Sequence, residues 1–135
     1  MAGTGQDDTL RGSNGHETLI GLAGDDLIEG DDGFELITGN AGNDSLYGGR
    51  NSDTIDGGVG NDFVDAGGAA DIVFGRGGDD TLDAGGADDT VDGNAGADFL
   101  IMRGGADLGR GGIGNDLVNG MAGTDTLLGQ GGTMP

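Results

Sequence analysis

An all-β fold of short stacked strands is the fold class that this sequence predicts, on three observations. Acidic residues recur every nine residues from Asp8 to Asp125 without an insertion. The second residue after the acid is aliphatic in 13 of the 14 repeats. Glycine precedes the acid by five residues in 11 repeats and by two residues in ten. A disordered acidic tail has no reason to keep its aliphatic residues in register, so this frame indicates one repetitive fold.

The repeat unit is G-x-x-G-x-D-x-U-x, where U is aliphatic, and its nine positions are numbered 1 to 9 below. It runs from residue 3 to residue 128, and residues 129–135 form a truncated repeat or a tail. An extended segment at positions 7 to 9 would put only its middle, aliphatic side chain on one face. One aliphatic residue per repeat gives a thin core that only stacking can bury. Glycine at positions 1 and 4 is typical of turns with positive φ.

The charge of the chain requires a neutralising partner. The net charge is −20, with 25 acids against 5 bases, and only 33% of the residues are hydrophobic. Composition alone would leave such a chain disordered. A basic partner or a divalent cation would neutralise the acids, whereas nucleic acid has the wrong sign of charge. We therefore expect folding to depend on a partner of positive charge.

Several function classes are disfavoured by what the sequence lacks. There is no cysteine and one histidine, which argues against disulfide scaffolds, thiolate zinc sites and a nucleophile triad. We therefore expect no enzyme. No apolar run approaches the roughly 20 residues that span a bilayer, so no membrane span is expected.

The nonapeptide resembles the RTX, or haemolysin-type, calcium-binding repeat, and the resemblance covers residues 3–128. It implies a right-handed parallel β-roll of about seven 18-residue coils, with two nonapeptides per coil. Positions 1 to 6 would form a turn that holds Ca²⁺, and positions 7 to 9 the strand. The resemblance also implies a secreted, extracellular bacterial protein whose calcium-binding structural module folds on meeting Ca²⁺. A metal-free solenoid is the alternative.

Two repeats per coil would stack the odd and the even repeats in separate columns of turns. All seven odd turns end in Asp and six keep both glycines, so we expect the odd column to be the main calcium column. Its seven turns leave six gaps and therefore about six ions. The expected carboxylate ligands are Asp8, Asp26, Asp44, Asp62, Asp80, Asp98 and Asp116. Carbonyl ligands are expected from Gly24, Gly42, Gly60, Gly78, Gly96 and Gly114.

The even column departs from the repeat. Two of its turns end in Glu, and alanine or methionine replaces glycine at Ala66, Ala69, Ala84, Ala87 and Met102. Because alanine resists positive φ, we expect these turns to differ in shape and to bind fewer ions or bind them more weakly. The weaker candidates are Asp53, Asp71, Asp89, Asp107 and Asp125, of which the last two are the first candidates for exceptions. The alternative is equal binding in both columns.

Three local features carry further expectations. Asn43, Asn61 and Asn115 precede their acids, and we expect each side chain to bond within its own turn. His16 is expected to be solvated and not to bind metal. The repeat MRGGADLGR, residues 102–110, has Gly109 in place of the core aliphatic and is expected to be the weakest repeat in the stack.

Position 7 alternates between Thr or Ser and an apolar residue, strictly in the even repeats and nearly so in the odd ones. If this position points outward, every second coil exposes an apolar side chain, which could dock another domain or a second copy. No capping helix is evident at either end, so end-to-end self-association is also possible. The second function considered is therefore a calcium-dependent adhesive or self-assembling surface protein. An ice-binding face is disfavoured because apolar residues interrupt the threonines.

Overall fold

Residues 1–129 are described by a computed structural model, and the expected tail beyond residue 129 lies outside the described residues. The described chain contains sixteen strands and no helix, so it has no helix long and apolar enough to cross a membrane. The strands are β1 (Thr9–Arg11), β2 (Thr18–Ala23), β3 (Leu27–Asp31), β4 (Leu36–Ala41), β5 (Ser45–Gly49), β6 (Thr54–Val59), β7 (Phe63–Gly67), β8 (Ile72–Gly77), β9 (Thr81–Asp83), β10 (Thr90–Ala95), β11 (Phe99–Ile101), β12 (Gly104–Gly105), β13 (Leu108–Arg110), β14 (Leu117–Asn119), β15 (Ala122–Gly123) and β16 (Thr126–Leu128).

The strands form two seven-stranded parallel sheets, one from each set of repeats. The odd sheet has the order β1-β3-β5-β7-β9-β11-β14, and the even sheet the order β2-β4-β6-β8-β10-β13-β16. Each residue pairs with the residue 18 positions later, as Leu10 does with Ile28 and Leu19 with Ile37. This register confirms the predicted parallel β-solenoid of about seven coils.

The core lies between the two sheets and consists mainly of the position 8 side chains. Those from Leu19 to Leu100 have no exposed surface. Three position 1 residues of the even repeats, Ala66, Ala84 and Met102, are also fully buried and join the same cluster. The core is therefore one aliphatic ladder per sheet, widened where alanine or methionine replaces the first glycine.

The repeat of residues 102–110 compensates for its missing aliphatic. A Cβ built on Gly109 would lie 3.4 Å from the sulfur of Met102, 3.1 Å from Val118 and 3.2 Å from Leu127. Met102 is fully buried and lies beside the space left by Gly109. Met102 at position 1 thus compensates in the core for the side chain that Gly109 lacks at position 8. This compensation was not predicted from the sequence.

Candidate metal columns

The acids at position 6 form two buried ladders, one in each column of turns. Asp44 and Asp71, from the odd and the even column, are each 1% exposed. In each aspartate of these ladders from Asp26 to Asp125, Oδ1 accepts a hydrogen bond from the backbone N–H of the acid 18 residues earlier. The Asp44 amide donates to Asp62 Oδ1 at 2.9 Å, and the Asp53 amide donates to Asp71 Oδ1 at 2.8 Å. The ladder ties neighbouring coils together through Oδ1 and leaves Oδ2 unbound.

The second carboxylate oxygen is buried without a partner along both columns. Within residues 1–129 this applies to Oδ2 of Asp26, Asp44, Asp53, Asp62, Asp71, Asp80, Asp89, Asp98, Asp107 and Asp116, and to both carboxylate oxygens of Glu35. A buried carboxylate without a partner is costly, and a cation removes the cost. The stack therefore contains a row of anionic oxygens suited to a metal.

The first turn of each column is different. Asp8 Oδ2 accepts hydrogen bonds from the Thr4 amide at 2.6 Å and the Thr4 hydroxyl at 2.9 Å. Ser13 engages both oxygens of Glu17 in the same way, at 3.0 and 2.6 Å. These carboxylates already have partners within their own turns, so they are poorer metal ligands than the acids that follow them.

Left-handed backbone occurs in the described residues only at positions 2 and 4 of the repeat. We call a turn full when both positions are left-handed. Six odd turns are full, as in the turn that ends at Asp44, where Asn40 has φ 81° and Gly42 has φ 141°. The full odd turns end at Asp26, Asp44, Asp62, Asp80, Asp98 and Asp116.

The even column is divided between two turn shapes. The turns of Glu35, Asp53 and Asp71 are left-handed only at position 2, and we call them half turns. The turns of Asp89, Asp107 and Asp125 are full. The prediction that alanine at position 4 changes the shape of the turn is confirmed at Ala69, whose φ is not left-handed. The expectation for Ala87 is wrong, because it adopts φ 99° and donates from its amide to the Gly104 carbonyl at 2.8 Å, like a glycine in a full turn.

Glycine at position 4 of the full odd turns is favoured by two constraints. The backbone is left-handed, and the turn below approaches closely: a Cβ built on Gly42 would lie 1.8 Å from the Gly24 carbonyl oxygen. The position 4 carbonyls predicted as ligands therefore stack between consecutive odd turns, as the Gly24 carbonyl does against Gly42.

Glycine at position 1 has a different cause from the one predicted. None of the odd position 1 glycines lies in the left-handed region. A Cβ on Gly21 would instead lie 2.3 Å from Asp26 Oδ2 and 2.8 Å from the Gly39 carbonyl oxygen. The φ argument made for Ala66, Ala84 and Met102 was wrong, because position 1 is not left-handed in either column. In the odd turns it is crowding that excludes a side chain at this position.

Replacing Gly42 by Ala tests the turn geometry. We expect Gly42→Ala to destabilise the folded state by on the order of 1–3 kcal/mol, because alanine at this φ is strained and its Cβ meets the Gly24 carbonyl. The matched control is Gly77→Ala, at position 3 of an odd turn, where an added Cβ has no atom within 4 Å. Urea unfolding in Ca²⁺ measures both. Equal stability of the two variants would contradict the turn geometry.

A second ladder runs along the outside of the odd column at position 5. Asn43 Oδ1 accepts from the Asn61 amide at 2.8 Å, and Asn61 Oδ1 accepts from the Asp79 amide at 2.9 Å. The expectation that Asn43 and Asn61 bond within their own turns is wrong, since each bonds to the next coil. The recurrence of Asp and Asn at position 5 of the odd repeats was the sequence signal for this ladder. The two ladders join consecutive odd turns twice from the turn of Asp8 to the turn of Asp98, where Ala97 ends the position 5 ladder.

His16 takes part in a comparable contact in the even column. Its Nδ1 accepts from the Phe34 amide at 3.1 Å, and its ring stacks on Phe34 with centroids 5.0 Å apart. Among the described residues, no three His, Cys, Asp or Glu side chains converge on one point. His16 therefore has a structural partner in the next coil.

The oxygen atoms that border each gap between two stacked turns suit calcium better than a softer metal such as Zn²⁺. With no cluster of three metal-binding side chains in residues 1–129, any ion held between two turns takes much of its shell from backbone carbonyls. Ca²⁺ binds six to eight oxygens from carboxylates and carbonyls, whereas Zn²⁺ prefers Cys and His. The buried Oδ2 atoms of Asp44 and Asp62 have no hydrogen-bond partner, and the Gly42 carbonyl is stacked between their two turns, so oxygens of both required kinds are present.

Burial changes the protonation of the ladder acids. It raises the pKa of Asp80 and of Asp71 to about 7, with neighbouring carboxylates acting in the same direction. It also raises the pKa of Asp44 and of Asp98 to about 6. Without metal, the ladders therefore favour protons, and ionising them at neutral pH destabilises the fold.

We expect the metal-free chain to gain structure as the pH falls from 7.5 to 5. The folded-state pKa values of about 6 to 7 exceed the unfolded value of 3.8, so the folded state binds more protons and its stability falls as the pH rises through this window. Circular dichroism in chelator should show a growing β signal on acidification. The calcium midpoint should rise over the same range, because protons compete for the ligands. A pH-independent spectrum in chelator would contradict the burial of these acids.

Comparison with known families agrees with this geometry. The family model of the RTX calcium-binding nonapeptide repeat matches in four copies, at residues 1–28, 29–64, 65–100 and 103–133. No curated protein matches the chain. The four copies span nearly the whole sequence, and the turns contain the acids and glycines of the repeat. The chain belongs to the RTX calcium-binding nonapeptide repeat family.

Proposed function

We propose that the chain is a calcium-binding structural module that folds as Ca²⁺ fills its turns. The observation that carries the proposal is the row of buried Oδ2 atoms without partners. Of the 25 acids, 20 lie at turn positions, so calcium would be held where the charge is concentrated. The binding free energy becomes folding free energy because the gaps between turns exist only in the stacked chain.

The family relationship supports an extracellular site of action. Members of this repeat family are typically parts of secreted bacterial proteins, and we propose the same for this chain. Calcium scarcity inside the cell would keep the acids ionised and unpaired, and self-repulsion would then keep the chain unfolded. Calcium outside would trigger folding. We propose a structural role for the chain and not a catalytic one.

We propose that the ions lie in gaps bounded by two full turns. Five odd gaps meet this condition, from Asp26 to Asp116. The gap between Asp8 and Asp26 is a weaker site, because Thr4 engages Asp8 Oδ2. In the even column, the Asp89–Asp107 and Asp107–Asp125 gaps also qualify. The two gaps between Glu35, Asp53 and Asp71 do not meet the condition, because position 4 of a half turn is not left-handed.

Calorimetric titration read beside circular dichroism tests the proposal. We expect several ions per chain to bind cooperatively with the gain of β signal, and Mg²⁺ to produce neither effect, because it retains its waters and requires stricter octahedral geometry. Binding of Ca²⁺ without any change in secondary structure would contradict coupled folding. Absence of binding heat would contradict the calcium site itself.

A calcium-dependent self-assembling surface protein is the second candidate function. It is favoured by apolar side chains exposed on the sheets, such as Leu36 at 45% and Ile72 at 43%. The two functions are compatible, since calcium would first form the sheets that carry these residues.

A further inference from the structure

The outer face of the even sheet is the surface that the calcium function leaves unexplained. The even-sheet face is defined here by positions 7 and 9 of strands β2, β4, β6, β8, β10, β13 and β16. Its position 7 residues are in register, with Leu36 beside Thr54 and Ile72 beside Thr90. Threonine therefore alternates with leucine or isoleucine along the whole column. Apolar side chains recur at about 9.6 Å, twice the strand spacing.

The even-sheet face is electrically neutral in a protein of strongly negative charge. Its charged residues at positions 7 and 9 are Asp56, Asp92 and Arg110. Arg76, from the adjoining turn, binds Asp56 at 2.6 Å and lies over the Phe74 ring at 4.7 Å. These four charges cancel, whereas the turns hold most of the −20. Two copies could thus approach through this face without strong repulsion.

We infer that the even-sheet face binds the same face of a second copy of this chain. The alternation of large and small residues is self-complementary in a two-fold pair. A two-fold axis parallel to the strands makes the two stacks antiparallel and closes the interface as a dimer. With the stacks displaced by one coil, each apolar position 7 side chain lies over a threonine of the partner, as Ile72 does over Thr90. The same arrangement places Arg110 of one copy opposite Asp56 of the other, so opposite charges meet.

The size of the face suits a weak dimer. Five of its strands are six residues long and two are three residues long. At about 3.3 Å per residue and 4.8 Å between strands, the whole even sheet, including the turn positions 1 to 3 that extend its six-residue strands, covers roughly 570 Å², or about 1,140 Å² for two copies. This is near the lower limit for specific interfaces, so we expect micromolar affinity. The inference depends on the proposed function in one respect: calcium must fold the sheet before its face can bind a second copy.

Sedimentation velocity across micromolar to hundreds of micromolar chain, in Ca²⁺, tests this inference. The test variant is the double substitution Leu36→Thr and Ile72→Thr, which extends the native threonine column and should fold. The control is Phe63→Thr with Leu117→Thr, which changes position 7 of the odd sheet at side chains exposed by 38% and 45%. Circular dichroism in the same buffer shows whether each variant is folded.

We expect the parent chain to form dimers, the test variant to raise the dissociation constant by about tenfold or more, and the control to change it little. A β-structured parent chain that stays monomeric would overturn the inference. Equal loss of dimers in both variants, or no loss in the test variant, would overturn it too. A chain that is folded with and without Ca²⁺ would contradict the proposed function alone, and its dimerisation through this face would still support the interface.

Discussion

Chelation of calcium at pH 7.5 is expected to convert the chain from β-sheet to coil, the largest effect that the structure implies. The reason is electrostatic: ten aspartates of the two ladders have a buried oxygen with no partner, and the core has one aliphatic residue per repeat to oppose their repulsion. Removing the cations leaves those carboxylates either ionised in a buried site or exposed by unfolding, and unfolding costs less. Far-UV circular dichroism before and after chelation measures the change.

Readdition of millimolar Ca²⁺ should restore the β signal, and the same concentration of Mg²⁺ should not. This comparison separates specific coordination from general screening of charge, since both ions are divalent. A β spectrum that persists in chelator at pH 7.5 would contradict coupled folding, as would full recovery in Mg²⁺.

The substitution Asp62→Asn should raise the calcium midpoint of folding by about tenfold or more. Asn keeps the Oδ1 acceptor for the Asp44 amide, so the ladder bond at 2.9 Å survives while the charge is lost. Asp62 lies between two gaps that are each bounded by full turns, so two proposed ions lose a carboxylate ligand. A calcium titration followed by circular dichroism measures the midpoint.

The matched variant is Asp71→Asn in a half turn of the even column. Its ladder bond to the Asp53 amide, at 2.8 Å, is equivalent, and Asp71 is equally buried. Since no ion is proposed beside Asp71, removing its charge relieves repulsion and should leave the midpoint unchanged or lower it. Equal increases in the two midpoints would show that half turns bind calcium as full turns do.

The strands and the core were predictable from the sequence because both follow from one period. Position 8 aliphatics such as Ile28 and Val64 are buried as expected, and the 18-residue register follows once two repeats are assigned to a coil. The family resemblance supplied that second step. Residue composition alone does not state how many repeats make a coil.

The turn shapes were not predictable from residue types alone. Ala69 and Ala87 replace the same glycine, yet only Ala87 is left-handed, because the contacts with the next coil decide the backbone. The conformation of a turn therefore depends on its neighbours in the stack. For the same reason, the contact of Gly21 with the Gly39 carbonyl and the bond from Asn61 to Asn43 became visible only between coils 18 residues apart.

A crystal structure in saturating Ca²⁺, with anomalous scattering from calcium, tests most directly the claim that full turns hold the ions. We expect peaks in the five odd gaps from Asp26 to Asp116 and in the even gaps on either side of Asp107, and no peak between Asp53 and Asp71. Peaks of equal height in every gap of both columns, or none between the full turns, would contradict this placement of the ions.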